Sequence, residues 1–120
     1  MKNKTLVLGA SQNPERYSNK AIVKLVAKGQ EVIAIGKRAG DVNGVVIATG
    51  PVASDDIETV TLYLNPPNQK PYYDYIISLK PKRIIFNPGA ENEELERLAA
   101  KEGINVLESC TLVMLSTGQY

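Results

Sequence analysis

The chain has no histidine, no tryptophan and a single cysteine, Cys110, among its 120 residues. Without histidine there is no Ser–His or Cys–His nucleophile pair, no imidazole metal ligand and no imidazole switch near neutral pH. One cysteine excludes an internal disulfide framework. Long hydrophobic runs are also missing: no apolar stretch approaches the roughly 20 residues of a membrane helix. The early run Leu6-Val7-Leu8 is too short for a secretory hydrophobic region. The length suits one hydrophobic core and is too short for two ordinary domains. These absences lead us to expect one soluble, cytoplasmic domain spanning residues 1–120 that does not engage a membrane.

A large excess of one charge sign is likewise missing, with 14 basic against 13 acidic residues, but the balance conceals a division. Residues 1–40 hold eight basic and two acidic side chains, a net +6, and residues 41–120 are net −5. A basic first half points to an anionic partner. Lys20, Lys24 and Lys28, spaced four apart, have the spacing of a solvated helix face. No basic-aromatic stripe or nucleic-acid motif accompanies them, so no nucleic acid is expected.

Apolar segments alternate between short β-branched runs and longer stretches at helical spacing, the pattern of βαβ units around a parallel sheet. Strands are predicted at Thr5–Leu8, Glu31–Ile35, Val45–Ala48, Thr59–Leu64, Ile84–Phe86 and Ile104–Leu107. Residues Gly40–Gly44 read as a turn. The first helix is expected to start at Ser18 as its N-cap, bury Ala21, Ile22, Leu25 and Val26, and stop at Gly29. A second helix should run from Pro71 to about Leu79, with Tyr72, Tyr75, Ile76 and Leu79 on one face. A third is predicted after an Asn92 cap, burying Leu95, Leu98 and Ala99. Ser109–Leu115 reads as a short helix or an irregular tail.

In an open parallel sheet, ligands bind beyond the carboxyl ends of the strands. Those ends carry Gly9-Ala10-Ser11, Gly36-Lys37-Arg38, Asn65-Pro66-Pro67 and Asn87-Pro88-Gly89. Each group is small, backbone-exposing or cationic, which suits an extended ligand carrying phosphates. The first loop lacks the later glycines of G-x-G-x-x-G, so no standard dinucleotide fingerprint is present. Ser11, Arg16, Ser18 and free backbone N–H groups could still hold a pyrophosphate there, although an ordinary capped βα loop reads the same way. After the second strand, where NAD binders place an acidic residue, stand Lys37 and Arg38. They favour a phosphorylated ribose or form a solvated basic turn. Cys110 reads as a small core residue rather than a reactive thiol. Glu91, Glu93, Glu94 and Glu96 read as helix-dipole partners rather than a metal site. Tyr72, Tyr73 and Tyr75 read as packing on the sheet.

The run Leu6-Val7-Leu8-Gly9-Ala10-Ser11-Gln12-Asn13-Pro14-Glu15-Arg16-Tyr17-Ser18 resembles the V-G-A-S-x-x-P-x-R-x-S opening of the small bacterial and archaeal CoA-binding proteins. These are relatives of the CoA-binding N-terminal domain of the succinyl-CoA synthetase α subunit. Leu64-Asn65-Pro66-Pro67 falls where that family faces its coenzyme. Asn87-Pro88-Gly89-Ala90-Glu91-Asn92-Glu93-Glu94 is similar to its Q-x-G-x-x-N-E-E stretch. Ala99 to Leu107 followed by Cys110 matches its closing A-x-x-x-G-I-x-V and cysteine. The resemblance implies a Rossmann-like three-layer α/β sandwich with a mostly parallel sheet of about five to six strands, binding coenzyme A or an acyl-CoA across the strand ends. It maps Gly9, Ser11, Arg16 and Ser18 to the pyrophosphate loop, and Ala10, Asn13 and Tyr17 of the same run are expected at the ligand with them. Asn65, Pro66 and Pro67 map to the wall beside the nucleotide or pantetheine, and Asn87 and Gly89, at the next strand end, are expected to bind the ligand as well. The match breaks after the second strand, where relatives have an Asn-Pro-type turn and this chain has Lys37 and Arg38. The family lends no catalytic residue, so a non-catalytic carrier, sensor or regulator is expected. The alternatives are an NADP-binding oxidoreductase subunit and a ligand-free interaction module; a protein partner or homodimer is left open.

Overall fold

The computed structural model describes residues 4–120; Met1, Lys2 and Asn3, read as leading straight into the first strand, lie outside the described residues. The strands are β1 (Lys4–Ala10), β2 (Glu31–Gly36), β3 (Gly40–Val42), β4 (Val45–Ala48), β5 (Ile57–Leu62), β6 (Arg83–Phe86) and β7 (Asn105–Glu108). The helices are α1 (Tyr17–Ala27), α2 (Pro66–Gln69), α3 (Tyr73–Leu79), α4 (Glu93–Lys101) and α5 (Thr111–Ser116), with a 3₁₀ turn at Lys70–Tyr72. All strands join one sheet in the order β3-β4-β2-β1-β5-β6-β7, parallel except β3, which runs antiparallel to β4.

Side chains of a strand alternate between its two faces, so each strand feeds two cores. Leu6, Leu8, Val60, Leu62, Ile84 and Phe86 point to the face covered by α3 and α4, against Ile76, Leu95 and Ala99. Val7, Ala34 and Ile47 point to the opposite face, covered by Ile22 and Leu25 of α1 and Leu115 of α5. Burying each such Leu or Ile contributes about 1.5–3 kcal/mol relative to leaving it exposed. The result is the parallel sheet expected from the βαβ pattern, in the three-layer sandwich that the family resemblance implies.

The sheet has seven strands rather than five or six. The extra one, β3, occupies part of the stretch read as a turn. It pairs with β4 through Asn43-Gly44, where both residues have positive φ (49° and 87°), as a tight two-residue hairpin requires. β5 begins two residues earlier than expected and ends at Leu62, because Asn65-Pro66-Pro67 opens a helical turn instead of only closing a strand. Proline is at ease there, since the first helical N–H groups have no partner within the helix. The helix expected from Pro71 starts at Tyr73, after the 3₁₀ turn. Ser109–Leu115 resolves into α5, one residue longer at its C-terminus. Leu98 of α4 is 38% exposed rather than buried. Ser18 is not the N-cap of α1: Arg16 takes that position with extended φ/ψ and no side-chain hydrogen bond, and Ser18 lies buried in the first turn.

Candidate functional site

Strand order reverses at β1. From it the chain moves outward to β2 and β4, then returns to the other side of β1 as β5. The crevice of an open α/β sheet forms at such a switch point, beyond the carboxyl ends. The four segments singled out in the sequence follow β2, β1, β5 and β6, which are consecutive neighbours. The topology therefore places Lys37-Arg38, Gly9–Ser18, Asn65–Pro67 and Asn87–Gly89 side by side along one edge of the sheet.

At the centre, Gly9 has φ +101°, and a Cβ built on it would meet the backbone of Tyr63 and Leu64 at 3.1 and 3.2 Å. Only glycine combines that backbone conformation with so close an approach of the two loops. The backbone N–H of Tyr63 donates to the Leu8 carbonyl at 2.9 Å, so β5 stays attached to β1 up to the point where the loops part. Beyond Gly9 the loop is held by its own short side chains. Ser11 Oγ accepts from the Asn13 N–H, Asn13 Oδ1 accepts from the Glu15 N–H, and Asn19 Nδ2 donates to the Ser11 carbonyl.

The loop delivers the chain into α1 with that helix's N-terminus open. No side chain caps it and its first turn holds no acidic residue. Arg16 and Tyr17 are exposed beside it, Tyr17 at 70%. Unclaimed N–H groups at a helix start carry about half a positive charge, and a cation adjoins them here. At the end of the neighbouring strand β2, Lys37 and Arg38 are both exposed in the turn after Gly36.

The β5 and β6 ends are built differently. Asn65 opens α2, and its Oδ1 accepts from Asn68 Nδ2 at 2.8 Å. Asn65 and Pro67 are exposed and Pro66 is half-buried. Gln69, fully buried, ties this loop to the next: its Nε2 donates to the carbonyls of Leu64 and Ala90, and its Oε1 accepts from Asn92 Nδ2. Asn87 is also buried. Its amide donates to Thr61 Oγ1 and the Leu62 carbonyl and accepts from the Thr111 N–H, all within 2.8 Å. Its hydrogen bonds are thus spent on bracing β5, β6 and α5, so its side chain shapes the cleft from beneath instead of lining it. Gly89 is exposed, with its N–H donating to Glu91 Oε1.

A family model for the CoA binding domain matches residues 3–116 of the chain. The chain belongs to this CoA-binding domain family. The fold agrees. A crystal structure of an uncharacterized protein is 48% identical, with a TM-score of 0.96, covering all of this chain and 99% of that one. A hypothetical protein from Pyrococcus horikoshii is 24% identical over 97% of this chain and 83% of that one, with a TM-score of 0.87. A structure from Thermus thermophilus is 16% identical over 99% and 91%, with a TM-score of 0.86. No match is found among curated proteins.

Coenzyme A, the ligand class of this family, is a long polyanion, and the strand-end loops can be compared with what such a ligand needs. The residues fit: Gly9 lets the first two loops approach closely at the switch point, the α1 terminus is uncapped, and Arg16, Lys37 and Arg38 are exposed after β1 and β2. Sequence reasoning missed Tyr63, Gln69 and the packing of Gln12, whose roles come from contacts with distant segments. Tyr63 follows β5 beside Thr61, Thr111 and Cys110; its hydroxyl is buried without a hydrogen-bond partner, and burial pushes its pKa up to about 12. A phenol held that firmly protonated does not act as a base at neutral pH. Cys110 is half-buried at the N-cap position of α5, short of the full burial expected of a core cysteine. Among the described residues, no group of three or more acidic or cysteine side chains is placed to hold a metal, and no helix is long and apolar enough to cross a membrane.

Proposed function

We infer that the protein binds coenzyme A or an acyl-CoA through its phosphates, as a non-catalytic carrier, sensor or regulator. Membership of the CoA-binding domain family supports the ligand class. The observation that carries the placement is the uncapped start of α1, sited at the switch point next to Arg16. In this reading the pyrophosphate lies at the Ser11–Ser18 loop, and Lys37 with Arg38 meets the 3′-phosphate. The pantetheine arm runs past Tyr63 and Asn65–Pro67 toward Gly89. The side chains offered to the ligand are hydroxyls, amides, cations and glycines, which bind and orient but supply no general base.

The two exposed cations would also suit the 2′-phosphate of NADP, which is the second reading. Calorimetric titration with CoA, acetyl-CoA, NADP and NAD separates the two. Binding of CoA or acetyl-CoA in preference to both dinucleotides is expected. NADP binding without CoA binding would replace the first reading with the second, and no heat from any of the four would favour an interaction module.

A further inference from the structure

The turn that carries Lys37 and Arg38 is seated on the first loop at both of its ends. Gly36 pairs with Ala10 at the end of the β1–β2 ladder, and a Cβ built on Gly36 would overlap the Ala10 carbonyl oxygen. Four residues on, a Cβ on Gly40 would overlap the side chain of Gln12, which lies across that position. Gln12 is itself exposed and belongs to the loop assigned above to the pyrophosphate. The three residues between the glycines, Lys37, Arg38 and Ala39, are all exposed. The basic turn is thus pressed against the first loop at Ala10 and Gln12, with its cations left facing solvent.

We propose that Gln12, seated on Gly40, is a positioning residue that holds the Lys37-Arg38 turn at a fixed offset from the pyrophosphate loop, so that the site selects ligands bearing a ribose phosphate as well as a pyrophosphate. The inference rests on the CoA reading above and deepens it. A long, flexible cation gains little from an anion it must first find, whereas a pre-placed one loses less freedom on binding. The first loop does not depend on Gln12, because Ser11, Asn13 and Asn19 hold it through their own hydrogen bonds. Loosening the contact should therefore change what is read at the ribose phosphate and spare what is read at the pyrophosphate.

The test titrates wild type, Gln12→Ala and Gly40→Ala with CoA and with dephospho-CoA, alongside a thermal melt of each. Gly36→Ala is avoided because its overlap is with backbone. Wild type should prefer CoA about tenfold, the worth of one well-placed charged contact. Both variants should melt within about 2 °C of wild type and lose most of the preference for CoA, and Gly40→Ala, which lies outside the pyrophosphate loop, should keep its affinity for dephospho-CoA within about twofold. A preference unchanged in both variants would overturn the positioning role and leave the CoA reading standing. A wild type that binds both ligands equally would overturn the ribose-phosphate assignment and this inference together. A wild type that binds neither would overturn the CoA reading on which both rest.

Discussion

Two helices of this sandwich, α1 and α4, begin in opposite ways. Helix α4 is closed at its start: Asn92 Oδ1 accepts from the N–H groups of Glu94 and Leu95, and the first turn carries Glu93, Glu94 and Glu96. Helix α1 has no side-chain cap, no acid in its first turn, and Arg16 at the capping position. The same positive dipole end is neutralised within the chain in one case and left available in the other. Stability alone would favour the first arrangement everywhere, because a capping side chain typically contributes about 1 kcal/mol. The open start lies at the switch point of the sheet and the closed one lies beyond β6, away from it. Helices α2, α3 and α5 also begin without a side-chain cap, so what sets α1 apart is not the open start alone but its place at the switch point, with Arg16 beside it.

The sharpest way to break the comparison is to make α1 resemble α4. Arg16 already has the extended φ/ψ of an N-cap, −78° and 141°. Arg16→Asp should therefore stabilise the fold by about 1 kcal/mol in chemical denaturation. It should also lower CoA affinity on the order of 100-fold, through loss of a cation and gain of an anion. A variant that gains stability and keeps its affinity would remove α1 from the site. The converse change, Asn92→Ala, leaves two N–H groups of α4 uncapped and takes one hydrogen-bond partner each from Gln69 Oε1 and the Tyr73 hydroxyl. It should cost about 2–3 kcal/mol of stability while CoA affinity stays within about twofold. Next in size is Lys37→Ala with Arg38→Ala, expected to weaken CoA about tenfold and leave dephospho-CoA unchanged in parallel titrations. Unchanged CoA affinity would show that the basic turn is only a solvated loop.

The smallest effect belongs to α4 and is one of pH. Glu96 Oε2 is buried without a hydrogen-bond partner. Burial first, and then the Glu108 carboxylate across on β7, push the Glu96 pKa upward. The protonated form is thus favoured in the folded chain. The stabilisation that proton brings is complete at acid pH and is lost as pH rises through the folded-state pKa. Glu96→Gln should raise Tm at pH 7 by about 2 °C and have no effect near pH 4. An equal effect at both pH values would show that the carboxylate's charge is not the cause.

How legible these features were depended on where their partners lie. Asn92 was readable as a cap because its acceptor serves N–H groups two and three residues ahead, a purely local arrangement. Ser18 looked equally good by composition. It is not the cap because the loop turns on Ser11 and Asn13 and the cap position falls two residues earlier, at Arg16. β3 was unreadable because Gly40-Asp41-Val42 has little strand propensity and exists by virtue of its pairing with β4. The strand-end segments were visible because glycine, proline and paired cations interrupt apolar runs. Asn87 was visible for the same reason, yet its role as a brace is set by Thr61 and Thr111, which stand 26 and 24 residues away. Gln69 and Gln12 carry no local signal at all.

The central claim is that the open start of α1 and the loops beside it receive the phosphates of CoA, and backbone amide NMR on titration with CoA tests it most directly. The account predicts that the largest shift changes fall on Ser11 to Asn19, with further changes at Lys37, Arg38 and Tyr63 to Asn65. The amides of Glu93, Glu94 and Leu95 should stay in place. Changes centred on the first turn of α4, or none in the Ser11–Asn19 loop at saturating CoA, would contradict it.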